Sequence, residues 1–246
     1  MASTSICTSD LTSITVRGRD LVNELVGELT FTEMLYFLST GRKPDAGQAK
    51  VLDACLVTIM EHGINPSTIV SRLISDTVPD EPQVAIAAGL LAVGGVFAGT
   101  SEQCAAILQQ LAKDGEVRQT AERLISSGQP IPGFGHLHHK PDDPRTPRLF
   151  AVAEKAGVKQ THMRLLRELS QAVDKVKGRH ITINATGAIG ALMLDIDVPL
   201  EAIRCFSVVA RSAGLTAHLL EEKANPAART MWSESRKAVP YVPTRA

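Results

Sequence analysis

Apolar side chains recur along most of the chain every three to four residues, which is the spacing of a helix that buries one face. Val51, Cys55 and Ile59 follow this spacing within one stretch, and later stretches repeat it. Extended patterns are confined to two short segments, residues 13–16 and 180–184. The distribution of apolar and polar positions therefore predicts an all-α protein, without internal repeats or low-complexity linkers.

Capping residues mark where individual helices begin and end. Thr30 followed by Glu33 has the form of a capping box, and Gly41 favours a left-handed helix stop. Asn65 before Pro66 is a cap and first-turn pair that opens another helix. The predicted helices span residues 31–40, 47–61, 66–74, 85–99, 101–113, 117–126, 144–157, 162–176 and 199–223.

The most apolar predicted helix, 85–99, contains four glycines. It is shorter than the roughly 20 apolar residues that cross a bilayer. We therefore expect a buried core helix there, and no membrane partner. The segment after Trp232 is polar, contains Pro240 and Pro243, and is predicted to be an irregular tail.

Charge and cysteine content narrow the classes of function. The 26 Lys and Arg residues balance 26 Asp and Glu residues, so the formal charge is zero and nucleic acid is not an expected partner. The four cysteines are widely separated without a CxxC pair, which argues against a zinc site or a disulfide framework. No secretory signal is visible, so we expect a cytoplasmic protein. No P-loop is visible either, so no ATP-driven step is expected.

The segment PGFGHLHHKPDDPR, in the middle of the chain, concentrates chemically active side chains. Gly133 and Gly135 permit close approach of the backbone to a ligand and present His136 from a loop. His136, His138 and His139 are potential metal ligands, but adjacent loop histidines rarely face one ion, and no acidic or thiol partner lies at a standard spacing. These residues alone leave a metal cluster, a solvated loop and an active site open, with a metal the least favoured.

Arg145 closes this segment. Asp143 and Pro144 have the form of a cap and first position of a helix ending near Gly157, which places Arg145 in the first turn. A helix N-terminus attracts anions, and its dipole does not favour a cation there. A bound carboxylate therefore explains Arg145 better than helix stability does.

GFGH, followed by a lysine and then DPR, resembles the GFGH/GYGH segment of the citrate synthase family, with histidine and arginine nine residues apart. Three further segments resemble the family: VRGRDLVNELVGELTFTEMLYFLSTGRKP, MEHGINPSTIVSR and VARSAGLTAHLLEE. The resemblance implies a citrate synthase-like unit over 1–246. Within it, we expect a large helical domain, approximately 1–130 and 190–246, and a small domain with active-site loops, approximately 131–189.

The resemblance also implies the site residues. His136 takes the place of the family's histidine that meets the oxaloacetate oxygen, and it is the candidate for moving the proton on the tertiary hydroxyl or ketone. His62 takes the place of a second substrate-binding histidine, and it is the candidate for a hydrogen bond to the same oxygen or to an adjacent carboxylate. An arginine guanidinium binds a carboxylate through two parallel hydrogen bonds, which is appropriate for a polycarboxylate substrate. A histidine side chain can transfer protons near neutral pH. The implied carboxylate-binding residues are Arg145, Arg211 and Arg229, the last reaching the neighbouring subunit's site. The implied coenzyme A contacts are Pro132, Gly133, Phe134, Gly135, Leu137 and Lys140.

The chain departs from the family pattern at two positions. Phe97 stands where the synthases carry an enolate-stabilising histidine, and an aromatic residue there resembles the lyase domain of ATP-citrate lyase. Thr186, in NATGAIG, stands at the position of the family's catalytic aspartate. A threonine hydroxyl is not a useful general base near neutral pH without an activating neighbour.

Three explanations of Thr186 stay open. Glu102, His138 or His139 replaces the aspartate, or the reaction is a different one on another acyl-CoA, or the chain binds its ligands without turnover. Among these we expect a citryl-CoA lyase-like enzyme with Thr186 at its catalytic site. A citrate synthase-type acyltransferase is the second choice for the reaction, and a silent homologue is the alternative.

The expected enzyme cleaves or forms the carbon–carbon bond of a citryl-type acyl-CoA, giving acetyl-CoA and oxaloacetate or related products. Its coenzyme A thioester is a substrate, and no tightly bound cofactor or metal is expected. The resemblance further implies a homodimer or a higher homo-oligomer whose ligands are an acyl-CoA and a polycarboxylate.

Overall fold

The computed structural model describes residues 2–96 and 99–243, and their conformation confirms the predicted all-α class. A π-helical turn, Leu21–Leu25, and a 3₁₀ turn, Leu200–Ala202, accompany the α-helices. The α-helices among the described residues are α1 (Phe31–Thr40), α2 (Ala46–Met60), α3 (Pro66–Thr77), α4 (Pro82–Leu91), α5 (Thr100–Asp114), α6 (Val117–Ser126), α7 (Arg145–Ala156), α8 (Thr161–Lys177), α9 (Ala185–Asp195), α10 (Ile203–Ala224) and α11 (Ala228–Ala238).

Local capping chemistry determines the ends of the first helices as predicted. Thr30 and Glu33 form both hydrogen bonds of the capping box at the start of α1, and Gly41 ends the helix with a φ of 78°. The Asn65 side chain accepts hydrogen bonds from the first backbone N–H groups of α3. These caps satisfy backbone groups that the helix itself leaves unpaired.

A small antiparallel sheet precedes the helices. Its strands are β1 (Cys7–Ser9), β2 (Ile14–Val16) and β3 (Arg19–Asp20), in the order β1-β2-β3. The predicted extended segment 13–16 coincides with β2. The other predicted extended segment, 180–184, is not a strand, although Ile183 forms an isolated bridge with Phe134.

The prediction of a buried core helix over 85–99 is wrong. α4 ends at Leu91, whose side chain is 88% exposed, and Val96 is also exposed. Two consecutive glycines, Gly94 and Gly95, follow, and glycine in a helix interior loses more backbone entropy than any other residue. Phe97 lies outside the described residues.

The C-terminal tail also departs from the prediction. α11 continues past Trp232 to Ala238, and only the described residues that follow it, 239–243, lack regular structure. Basic residues in the last turn of α11, Arg236 and Lys237, are favourable at a helix C-terminus. No helix among the described residues is long and apolar enough to cross a membrane.

The chain divides into two compact units. The first comprises Met1–Thr58 and Thr100–Arg204, and the second comprises Ile59–Gly99 and Cys205–Ala246. In the first unit α9 packs against α5, α7 and α8; in the second α3 packs against α4 and α11. Residues 131–189, the predicted small domain, lie inside the first unit, and the predicted domain boundaries stay a prediction.

Candidate active site

The glycine-histidine loop, residues 132–145, is held against the start of α9 in the first unit. Gly133 has a φ of 83°, and a Cβ atom there would lie 2.8 Å from the Cα of Gly187. The Asn184 backbone N–H donates to the Gly133 carbonyl at 3.0 Å, and the Asn184 side chain donates to the Gly135 carbonyl at 2.8 Å. Only glycine fits this contact, so the backbone of the loop is fixed.

The same loop fixes the ring of His136. Its Nδ1 accepts the backbone N–H groups of His138, at 3.1 Å, and His139, at 3.0 Å. Two donors on Nδ1 require the proton of the neutral ring to be on Nε2, which makes Nε2 a hydrogen-bond donor. Nε2 lies 3.3 Å from Nη2 of Arg145, and because both atoms then carry protons they are two neighbouring donors and not a hydrogen-bonded pair. The structure thus brings together two of the predicted site residues, His136 and Arg145.

The other two histidines of the loop surround His136. The His139 ring is stacked on it at 4.3 Å between centroids, and the His138 ring meets it edge-on at 6.1 Å. Among the described residues, no group of three or more His, Cys, Asp or Glu side chains is arranged to hold a metal ion.

Arg145 has a carboxylate partner within the chain. Its Nε and Nη2 donate to the two oxygens of Asp143 at 2.9 and 2.8 Å, in the two-point geometry of a strong ion pair. Burial raises the pKa of Asp143, but hydrogen bonds from Arg145 and the Ala185 backbone outweigh burial and lower it to about 2. Asp143 therefore already pairs with Arg145 within the chain, and the binding of a substrate carboxylate by Arg145 stays a prediction.

The cap of α7 also differs from the prediction by one residue. The helix begins at Arg145, and Pro144 occupies the cap position. Asp143 lies one residue before the cap, where its side chain accepts the Arg145 backbone N–H at 3.1 Å and the Ala185 backbone N–H at 2.9 Å. One buried carboxylate therefore binds backbone donors at the start of α7 and of α9. Gly157 ends α7 in the left-handed conformation, as predicted.

Thr186 lies in the first turn of α9, within a chain of hydrogen bonds. Its hydroxyl donates to the Asn184 side-chain oxygen at 2.7 Å and lies 2.7 Å from the Thr100 hydroxyl, which is then the donor to Thr186. Glu102, a candidate replacement for the missing aspartate, forms an ion pair with Arg204 at 2.6 Å. Thr186 and Glu102 are thus both engaged with other side chains, and neither is available as a general base in this arrangement.

The residues predicted to bind coenzyme A differ in exposure. Gly133 and Phe134 are buried, Pro132 and Gly135 are half-buried, and Leu137 and Lys140 are exposed. Their predicted contacts with coenzyme A stay a prediction.

In the second unit, Arg211 is a buried cation with unsatisfied donors. The residue is 6% exposed, and its Nε and Nη1 have no hydrogen-bond partner among the described residues. Burial lowers the pKa of Arg211, and the charge of Glu61 acts in the opposite direction. A buried guanidinium with unpaired N–H groups is costly in the free protein, and an anionic ligand would supply the missing acceptors.

His62 follows the end of α2 on an exposed turn. Its backbone N–H and that of Gly63 both donate to Glu61 Oε1, at 2.8 and 2.6 Å. α10 passes this turn at Gly214, where a Cβ atom would lie 2.9 Å from Glu61 Oε2. Glu61 therefore touches both the turn that carries His62 and the helix that carries Arg211.

Arg229 lies elsewhere in the second unit. It is largely exposed on the first turns of α11, and its Nε lies 3.2 Å from both oxygens of Asp76. Its role at a neighbouring subunit's site stays a prediction.

Sequence reasoning missed the buried cation Arg72 and its partners on α10. Arg72 binds His218 and Glu222 in the interior of the second unit. The buried residues of α3 are all polar and recur at helical spacing: Ser67, Thr68, Ser71, Arg72 and Ser75. This inverted pattern, with polar rather than apolar residues on the buried stripe, was the signal in the sequence.

A histidine beside the glycine-histidine loop is predicted to make stability depend on pH. His180 lies 2.6 Å from Asp174 and 3.0 Å from Asp142, and hydrogen bonds to both carboxylates raise its pKa. Its stabilisation is then fully present below the unfolded-state pKa and is lost as pH rises through the folded-state pKa. We expect His180→Asn to lower Tm by about 2 °C at pH 5.5, with a smaller difference at pH 8.5. Thermal unfolding followed by circular dichroism measures this, and an equal loss at both pH values would contradict it.

Comparison with known proteins places these features in context. Residues 30–231 match the family model for the C-terminal domain of citrate synthase. Citrate synthase from Synechocystis sp. is 31% identical over 200 residues, which are 79% of this chain and 50% of that protein. The chain spans about half the length of the curated relatives it matches.

Solved structures show the same similarity. Citryl-CoA lyase from Hydrogenobacter thermophilus superposes with a TM-score of 0.90 at 27% identity, covering 100% of this chain and 96% of that chain. ATP citrate lyase from Methanothrix soehngenii, solved with citrate and coenzyme A, shares the fold with a TM-score of 0.82 at 18% identity. That superposition covers 99% of this chain and 42% of the other.

Proposed function

Because the chain belongs to the citrate synthase family, we propose that it is a citryl-CoA lyase-type enzyme. It would cleave, or form, the carbon–carbon bond of a citryl-type acyl-CoA to give acetyl-CoA and oxaloacetate or related products. The observation that carries the proposal is Arg211, a buried guanidinium whose free donors match a carboxylate of such a substrate. The similarity to citryl-CoA lyase over nearly all of both chains supports the lyase reaction.

The geometry of His136 suggests its role. In the cleavage direction the substrate hydroxyl loses its proton and becomes the ketone of the 2-oxo acid. The bonding electrons pass to the thioester fragment, which then takes up a proton at carbon. With Nδ1 occupied by two backbone donors, His136 presents an Nε2–H that stabilises the ketone oxygen, or polarises it in the reverse condensation. The hydroxyl proton then requires an acceptor other than the neutral His136 ring.

Arg145 supports the same proposal as a partner of His136. Its ion pair with the buried Asp143 fixes the guanidinium beside Nε2 of His136. A positive charge fixed next to a developing oxyanion lowers the energy of the transition state without reorganisation. Assembly as a homodimer, with Arg229 reaching the neighbouring subunit's site, belongs to the proposal as well.

A second candidate function is ligand binding without turnover, and Thr186 is the observation that favours it. Its hydroxyl is held by Thr100 and Asn184, so it does not supply the general base expected at that position. A protein of this kind would retain the polycarboxylate-binding arginine and bind acyl-CoA as a signal or carrier.

Incubation of the purified protein with citryl-CoA distinguishes the two functions. We expect release of acetyl-CoA and oxaloacetate by the wild type and a much lower rate for His136→Ala. No release by the wild type above a control without protein would overturn the lyase assignment, and release by the wild type that His136→Ala does not slow would overturn the role of His136. Thr186→Asp is the companion variant, because a gain of activity in an inactive wild type would show that only the base was missing.

A further inference from the structure

A buried arginine at the centre of the second unit connects several polar groups. Arg72, on α3, is 2% exposed. Its Nη1 donates to Glu222 at 2.8 Å, and its Nη2 forms an ion pair with Glu221. Its Nε and Nη2 also lie 3.1 and 2.9 Å from Nδ1 of His218. Every nitrogen of this guanidinium thus has an acceptor.

Arg72 determines which nitrogen of His218 carries the proton. Arginine has only donors and keeps its charge in proteins, so Nδ1 of His218 must be the acceptor. The proton of the neutral ring is therefore on Nε2, which lies 3.0 Å from Glu61 Oε1 and donates to it. Because Arg72 can only donate, the donor and the acceptor of each hydrogen bond between Arg72, His218 and Glu61 are determined.

The hydrogen bonds from Arg72 through His218 end at Glu61, which begins the turn that carries His62. The same oxygen that receives His218 also accepts the backbone N–H groups of His62 and Gly63. Burial raises the pKa of Glu61, but the hydrogen bonds from His218 and the two backbone groups outweigh it and lower the pKa. The carboxylate is therefore ionised and acts as the acceptor for all three donors.

We propose that Arg72 and His218 are positioning residues: through Glu61 they fix the backbone of His62 and hold a negative charge against α10, the helix that carries Arg211. This inference rests on the proposed function only in assigning His62 and Arg211 to the substrate. The relay, by which we mean the series of hydrogen bonds from Arg72 through His218 to Glu61, is a property of the free protein. It explains why a charged side chain is buried in α3, far along the chain from the histidine and carboxylates it binds.

Hydrogen exchange of the free protein tests the relay without any ligand. In His218→Ala we expect the His62 and Gly63 amides to lose about 10-fold or more of their protection, because their acceptor is no longer held. The Ile69 amide, which donates to the Asn65 carbonyl within α3, should keep its protection. His218→Gln, whose side-chain amide can accept from Arg72 and donate to Glu61, should restore much of the loss.

The outcomes separate positioning from general stability. Unchanged exchange at His62 and Gly63 in His218→Ala would overturn the relay, and so would an equal loss across α3. Glu61→Met, which removes the acceptor, should reproduce the local loss. Glu122→Gln, which breaks an exposed ion pair on α6, is the matched control and should leave both amides unchanged.

Citrate binding by calorimetry adds a readout of function. We expect His218→Ala to weaken citrate binding about 10-fold and His218→Gln to recover it, while Glu122→Gln binds like the wild type. Failure of the wild type to bind citrate would overturn the proposed function and leave the exchange result to decide the relay. Normal binding by His218→Ala together with lost amide protection would overturn the link between the relay and the substrate site.

Discussion

Arg211→Met should weaken citrate binding by about 100-fold or more and at the same time stabilise the free protein by about 1–3 kcal/mol. The two effects have opposite directions for one reason. Nε and Nη1 of the buried guanidinium have no acceptor among the described residues, so the free protein bears the cost of desolvating them. A substrate carboxylate offsets that cost by accepting both hydrogen bonds. Methionine fills a similar volume with neither the cost nor the charge.

Calorimetric titration with citrate and urea unfolding of the unliganded protein measure the two effects. Arg118→Met, at an exposed ion pair on α6, is the matched control and should change neither quantity appreciably. A loss of stability in Arg211→Met would show that the guanidinium is satisfied within the folded chain. In that case the argument for an anionic ligand at Arg211 would fail.

Arg72→Met should have the opposite effect on stability and lower the free energy of unfolding by about 3–5 kcal/mol. The substitution leaves Glu222 buried without its cation. Glu222 also accepts the backbone N–H groups of Ala227 and Ala228 at 2.8 Å, so the start of α11 is weakened with it. Urea unfolding measures the loss.

The double variant Arg72→Met/Glu222→Gln is the control for this mechanism. It removes the uncompensated charge and should recover part of the stability, because a neutral amide is less costly to bury than a carboxylate. A single variant as stable as the wild type would contradict a buried ion pair at Arg72. A double variant that is less stable than the single one would show that the cap of α11, rather than the charge, dominates.

The sequence was most informative where structure depends on neighbouring residues. Thr30, Glu33 and Gly41 predicted both ends of α1, because a cap involves groups within one helical turn. The helix predicted over 85–99 failed because its composition is apolar throughout. Apolar composition alone does not distinguish a long core helix from a shorter helix followed by Gly94 and Gly95.

The chemistry of the site was predictable in part for a related reason. The residues of the glycine-histidine loop are close in sequence, and the structure places His136 and Arg145 side by side. The motif could not reveal that Asp143 already pairs with Arg145, because a resemblance identifies residue types and not their partners. The polar stripe of α3 indicated that Arg72 is buried, but its acceptors were beyond prediction since they lie about 150 residues away in sequence.

The contact between Gly133 and Gly187 has a consequence for how this protein can evolve. A Cβ atom on Gly187 would lie 2.4 Å from the Gly133 carbonyl oxygen, and one on Gly133 would lie 2.8 Å from the Gly187 Cα. Neither position can acquire a side chain unless the opposing backbone moves away. Neither glycine can therefore be substituted alone, and a change at one requires both segments to change together. Exposed neighbours such as Leu137 can vary one at a time.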